Sequence, residues 1–140
     1  MHSDLVPVQM KGDQNTYYDG LWNKYKNIKE GWGRLQHADG SIYQGQWKDD
    51  VPNGMGRIIH ANCDVYEGQW KDGFAHGKGT YTIAATGAVY KGDFEYDTQH
   101  GEGIETYKSG SKYQGQYNKG KKEGLGTFVS ESGSHYVGMF

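Results

Sequence analysis

The chain has 140 residues, the length of one ordinary domain, but only 34% of them are hydrophobic and the mean hydropathy is −0.92. This polarity excludes a conventional globular core of aliphatic side chains, while the 23 glycines and 12 tyrosines are too regularly placed for a disordered chain. A formal net charge of −2 argues against a broad nucleic-acid-binding surface, so we predict no nucleic-acid partner.

Residues 1–17 precede the first recognisable pattern, and we predict that they form an N-terminal tail. They lack the apolar core of a signal peptide, and the sequence has no run of about 18 apolar residues that would predict a transmembrane helix. The single cysteine, Cys63, cannot form an internal disulfide. We therefore expect a cytoplasmic protein whose contact with a membrane, if it has one, is peripheral.

From residue 18 onward the chain repeats itself with a spacing of 23 to 25 residues between equivalent tyrosines. Each unit opens with Tyr-x-Gly-x-aromatic, as in Tyr43 to Trp47, and five units then carry Gly-x-Gly, as at Gly54 and Gly56. A fixed period of this length is typical of stacked repeats. We predict five repeats (18–42, 43–65, 66–89, 90–112 and 113–135) and the start of a truncated sixth at 136–140.

Each repeat is predicted to be a β-hairpin. In the second unit, aromatic residues and glycine alternate with glutamine over Tyr43–Trp47, which is the period of a strand. Gly54–Ile59 is the second strand, and the polar segment 48–53 is the connection. The glycines leave room for neighbouring rings to lie against bare backbone. The fold class is therefore all-β, an elongated, solenoid-like array of stacked antiparallel hairpins that advances about 10 Å per repeat.

The recurring Tyr-x-Gly-x-aromatic and Gly-x-Gly motifs resemble the MORN (membrane occupation and recognition nexus) repeat over residues 18–140. The resemblance implies a hairpin array that acts as a scaffold in cytoskeletal, ciliary or membrane-associated assemblies, sometimes attached to an enzyme domain. Two positions depart from the pattern. Cys63 replaces a turn glycine, and Glu105 stands where the other repeats have Leu, Ile, Tyr or Phe.

Catalytic, cofactor and metal sites are not predicted. The Gly-x-Gly motifs lack the following helix that a phosphate-binding loop requires. His37 and His60 are equivalent residues of successive repeats, as are His76 and His100, so the members of each pair should lie about 10 Å apart. That separation is too large for one zinc ion. The sequence also contains no recognisable catalytic motif, and we expect a non-enzymatic protein.

The residue between the paired glycines should lie on the face opposite the glycines. Large apolar residues at this position, together with others on the same strands, predict an interrupted track that binds a helix or extended segment of a protein partner. Glutamine and glutamate residues 44, 46, 67 and 69 flank it. Alternatively, the apolar residues are merely scattered, or the tail covers them. The predicted partner-binding residues are Trp32, Met55, Ile59, Ile104, Leu125 and Val129.

Three further interpretations remain open at this point. Lys119, Lys121 and Lys122 are expected in one hairpin loop and would suit an anionic-lipid adaptor. The segment Tyr136–Phe140 should form an edge strand that lacks its own hairpin partner, which predicts self-association or further repeats. Finally, the repeats could be the targeting or regulatory module of a longer enzyme.

Overall fold

A computed structural model describes residues 4–140, which form one open antiparallel sheet of twelve strands. The order of the strands in the sheet is their order in the sequence, and a 3₁₀ turn, Asp13–Asn15, follows the first strand. The predicted all-β hairpin array is thereby confirmed. The strands are β1 Leu5–Lys11, β2 Tyr17–Asn23, β3 Ile28–Gln36, β4 Ile42–Lys48, β5 Val51–Ile59, β6 Val65–Lys71, β7 Phe74–Thr82, β8 Val89–Glu95, β9 Thr98–Thr106, β10 Lys112–Asn118, β11 Lys121–Val129 and β12 His135–Met139.

The hairpin turns are shorter than the sequence predicts. In the second repeat β5 begins at Val51, so the connection is only Asp49 and Asp50, and not the whole segment 48–53. Both aspartates have positive φ, 50° and 73°, as a two-residue type I′ turn requires. The additional residues are accommodated in a bulge, where residues 53–55 lie opposite the single residue Gln46.

The connections between repeats place one residue in the left-handed region. At Cys63 φ is 75°, and its amide donates a hydrogen bond to the carbonyl oxygen of His60 at 2.8 Å. Gly40 and Gly110 take the same role in other repeats, with φ of 93° and 96°. The replacement of glycine by Cys63 therefore leaves the turn intact, at the price of backbone strain.

One side of the sheet, called here the aromatic face, carries the tyrosine that opens each repeat and the aromatic residue four positions later. Tyr43 is 1% exposed because its ring packs edge-on against Trp47 of its own repeat, with centroids 5.0 Å apart, and against Trp70 of the next repeat at 5.1 Å. Each repeat therefore completes the core of the one before it. The buried members of the core are Tyr18, Tyr43, Trp47, Tyr66, Trp70, Ala75, Tyr90, Phe94, Tyr113 and Tyr117.

The paired glycines make this packing possible. A Cβ atom at Gly56 would overlap the Tyr43 ring, and one at Gly79 would overlap the Tyr66 ring. The Tyr43 hydroxyl reaches past the glycine and donates a hydrogen bond to the carbonyl oxygen of Gln46 at 2.7 Å. The predicted reason for the glycines, close approach of rings to bare backbone, is the one that the structure shows.

The segment before the first repeat takes part in the sheet. β1 pairs with β2 along its whole length, from Leu5 opposite Asn23 to Lys11 opposite Tyr17, and Val8 packs against the aromatic core. Residues 5–11 thus extend the sheet in its own plane and do not fold over the opposite face.

Candidate functional site

The side of the sheet opposite the aromatic face, called here the open face, carries all six residues predicted to bind a partner. Register places the side chains of Trp32 and Met55 on the side away from the tyrosines, and no second layer of the described residues covers them. Trp32 is 55% exposed, Met55 49% and Leu125 63%. Exposure of large apolar side chains on a regular sheet marks this face as a candidate interaction surface.

Cross-strand pairing divides the six residues among three parallel rows. Rows on one face are two residues apart along each strand, or about 7 Å. The predicted residues therefore do not form one continuous track. The first row contains Trp32, Met55 and Leu125, the second contains Ile104, and the third contains Ile59 and Val129.

Trp32 and Met55 form the main apolar patch of the open face, which we call the Trp32 patch. The two residues lie two strands apart, about 10 Å, on either side of a shallow pocket of about 350 Å³. Gln44, Gly56, Arg57 and Glu67 complete the lining, and Arg57 Nε lies 3.4 Å from a Glu67 carboxylate oxygen. The patch thus combines an apolar surface with a charged wall.

In the second and third repeats, the glutamine beside the bulge has a structural role that the sequence did not reveal. The amide of Met55 donates a hydrogen bond to Gln46 Oε1 at 2.7 Å, and the amide of Lys78 donates to Gln69 Oε1 at the same distance. These side chains hold the bulged backbone that presents Met55 and Lys78. Gln46 and Gln69, which we expected merely to flank the track, therefore help to fix the positions of Met55 and Lys78, respectively.

A charged band interrupts the first row between Met55 and Leu125. Lys78 Nζ contacts the Asp93 carboxylate, whose second oxygen accepts a hydrogen bond from the Glu102 amide at 3.0 Å. Burial opposes ionisation, but these hydrogen bonds outweigh it and hold the pKa of Asp93 below its ordinary value. Six strand spacings, about 29 Å, separate Met55 from Leu125.

Leu125 belongs to a second patch near the last strand. It pairs with Met139, which is 66% exposed, and Val137 lies one row away with 72% exposure. Ile104 lies between Lys91 and Gln114 in the second row, away from both patches.

Sequence reasoning missed most of the third row. Ile59 lies between Ile42 and Val65, to which it is paired on either side, and Val89 continues the row beyond Thr82. All are half-buried. Ile42, Val65 and Val89 each directly precede the opening tyrosine of a repeat. That position was the signal that could have identified them.

The three lysines considered for lipid contact do not share a loop. Lys119 lies in the turn, whereas Lys121 and Lys122 belong to β11. Lys122 Nζ is 3.5 Å from Glu105 Oε1 and 5.3 Å from the centroid of the Tyr113 ring. Its charge is therefore partly neutralised on the aromatic face, and Lys119 and Lys121 are the exposed members of the group.

The same contacts account for the unusual Glu105. Its carboxylate accepts a hydrogen bond from the Tyr117 hydroxyl at 2.7 Å and is paired with Lys122. Burial, followed by the hydrogen bond and the charge of Glu105, raises the pKa of Tyr117. A polar group replaces the aliphatic or aromatic residue of the other repeats, and nearby polar groups satisfy it.

The described residues offer no obvious metal centre. Within 4–140, no group of three or more His, Cys, Asp and Glu is arranged to hold an ion, and Cys63 is an exposed free thiol. The His76 ring packs against Tyr96 with centroids 5.1 Å apart. No helix of this part of the chain is long and apolar enough to cross a membrane.

Comparison with solved structures finds low-identity similarity to domains from Drosophila melanogaster. One is the TCP domain of SAS-4 in complex with a proline-rich motif of Ana2, with a TM-score of 0.46 and 12% identity, covering 95% of this chain and 77% of that one. Another is the TCP10c domain of Sas-4, with a TM-score of 0.44 and 9% identity, covering 96% of this chain and all of that one. Comparison with curated proteins gives no match.

The sequence matches a family model in four consecutive segments. The model is that of the MORN repeat, and the segments are 43–62, 66–84, 90–112 and 113–135. Together they cover more than half of the chain, and each begins one residue after the start of a hairpin's first strand. The chain therefore belongs to the MORN-repeat family.

Proposed function

We propose that this protein is a non-enzymatic scaffold that binds a helical segment of a protein partner on its open face, within a cytoskeletal, ciliary or membrane-associated assembly. The observation that carries the proposal is the Trp32 patch. A tryptophan and a methionine, both about half exposed, lie about 10 Å apart on the same face of the sheet. Such residues dominate the binding energy of protein interfaces when a partner buries them.

The geometry of the patch suits a helix that crosses the strands. Trp32 and Met55 are about 10 Å apart, and residues i and i+7 of a helix are separated by about the same distance along its axis. Apolar residues at those positions would each meet one side of the pocket between Trp32 and Met55. Charged residues on the flank of the helix would face Arg57 and Glu67.

The charged band limits how much of the sheet one helix can contact through apolar residues. A helix of about 20 residues is about 30 Å long, and would reach from Met55 to Leu125 only by passing over Lys78 and Asp93. The Trp32 patch is therefore the proposed primary contact, and the patch around Leu125 is secondary.

Photo-crosslinking tests this assignment directly. A crosslinking residue in place of Gln44, in the wall of the pocket, should capture the partner for identification by mass spectrometry. The affinity of the identified partner is then measured for Trp32→Ala and Met55→Ala. Each should weaken binding by about 5- to 30-fold, corresponding to about 1–2 kcal/mol, with little change in thermal stability.

Tyr25→Ala is the matched control, because Tyr25 is 71% exposed but lies in the first hairpin turn. It should bind the partner as the unaltered protein does. Unchanged affinity of a folded Trp32→Ala, Met55→Ala, Leu125→Ala triple variant would exclude the open face and direct attention to the loops.

A further inference from the structure

The first repeat holds a lysine in a site built from two rings and a carboxylate. Lys29 Nζ lies 5.5 Å from the ring centroids of both Tyr18 and Trp47. It is also 3.5 Å from Asp50 Oδ1, which accepts a hydrogen bond from the Lys29 backbone amide at 2.9 Å. The ammonium group is thus stabilised by cation–π attraction and by an ion pair.

The third repeat has the same backbone arrangement with alanine in place of the lysine. The Ala75 amide donates a hydrogen bond to Asp97 Oδ1 at 2.7 Å, as the Lys29 amide does to Asp50. The Asp97 amide donates in return to the Ala75 carbonyl oxygen at 2.9 Å, and the corresponding bond from Asp50 to Lys29 is 3.2 Å. Ala75 and Asp97 are therefore the structural equivalents of Lys29 and Asp50.

The rings are equivalent as well. Tyr66 and Phe94 occupy the places of Tyr18 and Trp47, and both pairs are T-shaped, with centroids 4.9 Å and 5.7 Å apart. What differs is that no lysine side chain from position 75 lies over the rings.

The short side chain of Ala75 leaves a pocket of about 340 Å³ on the aromatic face. Its lining includes Tyr66, Trp70, Phe94 and the Asp97 side chain, and contains no lysine or arginine among the described residues. A cavity bounded by aromatic rings with one carboxylate at its edge is the environment that Lys29 occupies in the first repeat.

The second and fourth repeats lack this combination. Pro52 and Gln99 stand at the position of Ala75, and the residues that donate to their carbonyl oxygens are Gly73 and Gly120, which have no carboxylate. In the fifth repeat the equivalent lysine, Lys122, lies over the rings of Tyr113 and Tyr117 and pairs with Glu105. Within residues 4–140, an arrangement of rings and a carboxylate therefore holds a lysine in the first and fifth repeats and is open in the third.

We propose that the pocket at Ala75 binds the side-chain ammonium group of a lysine presented by a protein partner. The lysine would lie over Tyr66 and Phe94, with its charge near Asp97, and reproduce the position of Lys29. Charge complementarity and the filled copy in the same chain identify this occupant. The site lies on the aromatic face, so this proposal does not depend on partner binding at the Trp32 patch.

The test uses n-butylammonium chloride as a probe of the lysine side chain, and NMR of the full chain at constant pH follows its binding. The Ala75 methyl and Asp97 amide signals should shift saturably, with the millimolar affinity expected of a single small cation. The uncharged probe 1-butanol should produce much smaller shifts. No saturable shift, or equal shifts with butanol, would overturn the proposal.

Three variants provide the controls. Asp97→Asn keeps an oxygen acceptor for the Ala75 amide, and asparagine tolerates the φ of 69°, so this variant should stay folded. It should bind n-butylammonium at least about fivefold more weakly, because the carboxylate charge is lost. Ala75→Lys should fill the pocket and abolish binding. Lys29→Ala should open the first-repeat copy and create a second set of shifts near Asp50. Full binding by folded Asp97→Asn would contradict the role of the carboxylate.

Discussion

The indole Nε1 of Trp70 donates a hydrogen bond to the carbonyl oxygen of Gly56, 2.9 Å away in the preceding repeat. Trp47 makes the equivalent bond to Gly33 at 3.0 Å. The tryptophan thereby joins two repeats through its polar atom as well as through its ring. Ring contact and hydrogen bond together satisfy an indole that the sheet buries on its aromatic face.

Removal of this side chain should destabilise the protein strongly. Trp70 is 8% exposed and packs against Tyr43 and Tyr66 with centroids 5.1 Å and 5.2 Å away. Trp70→Ala should lower the free energy of unfolding by about 3–5 kcal/mol. Trp70→Phe, which copies Phe94 of the fourth repeat, should cost about 1–2 kcal/mol because it loses mainly the hydrogen bond. Urea denaturation measures both.

His76→Ala is the comparison for that experiment. The His76 ring contacts the exposed Tyr96, and its Nδ1 has no hydrogen-bond partner among the described residues. We expect a loss well below that of Trp70→Ala. Equal destabilisation by the two substitutions would contradict the assignment of the core.

Gly56→Ala tests the requirement for bare backbone. The added methyl group would overlap the Tyr43 ring, which cannot move freely because Trp47 and Trp70 pack against it. A loss of about 3 kcal/mol is expected from overpacking. Gly110→Ala should cost only about 1 kcal/mol, because its methyl group meets nothing within 4 Å and strains only a φ of 96°. Gly56→Ala should therefore have the lower denaturation midpoint, and the reverse order would contradict the requirement for bare backbone.

Stability should decline in alkaline solution. Burial, with smaller contributions from Asp50 and Asp19, raises the pKa of Tyr18 from 10.0 to about 12. Burial and the Asp64 hydrogen bond raise the pKa of Tyr81 to the same value. A raised folded-state pKa means that the unfolded chain loses its protons first, so the stabilisation is complete below pH 10.0 and is lost as the pH rises towards about 12. A urea midpoint that stays constant from pH 9 to 12 would be incompatible with buried hydroxyls.

Lys122 should matter more for stability than for lipid contact. Its ammonium group interacts with Glu105 and with the rings of Tyr107, Tyr113 and Tyr117. Lys122→Ala should therefore lower the denaturation midpoint and leave sedimentation with anionic vesicles unchanged. If the repeats bind such vesicles, a Lys119→Ala, Lys121→Ala double variant should sediment less with them and keep its denaturation midpoint. Loss of vesicle binding in Lys122→Ala alone would contradict this division.

Self-association through the last strand remains a prediction. β12 forms one edge of the sheet, and edge strands present backbone groups that can pair with a second chain. Val137→Lys should reduce concentration-dependent association in light scattering, because a charge at an edge discourages pairing. Gln9→Lys makes a matched charge change in β1 at the opposite edge, and should have little effect. A chain that stays monomeric at all concentrations would rule out edge pairing.

The hairpins and their aromatic core were predictable because period and alternation are local properties of the sequence. Tyr43 and Trp47 are four residues apart on one strand, and the bare glycine Gly56 is fixed by its motif. The two-residue turn at Asp49 was not predictable in the same way. Val51 and Pro52 resemble loop residues, and they join the strand only because the bulge absorbs the residues that follow.

The candidate sites depend on register across repeats, which single motifs do not reveal. Trp32 and Met55 were predicted from their positions between paired glycines, but their distance from Leu125 and the charged band between them follow from the order of the rows. The pocket at Ala75 requires knowledge that residue 75 meets Asp97, 22 positions away in the next hairpin. No local pattern marks that contact.

The match between sheet order and sequence order has a consequence for how the chain acquires its structure during synthesis. Tyr43 is buried by Trp70, which lies 27 residues later, and Tyr66 by Phe94, which lies 28 residues later. A growing chain can therefore bury each tyrosine as soon as the next hairpin leaves the ribosome, without waiting for distant segments. Assembly would proceed from the N-terminus one hairpin at a time, and the most recently emerged tyrosine would be the exposed, growing end of the sheet.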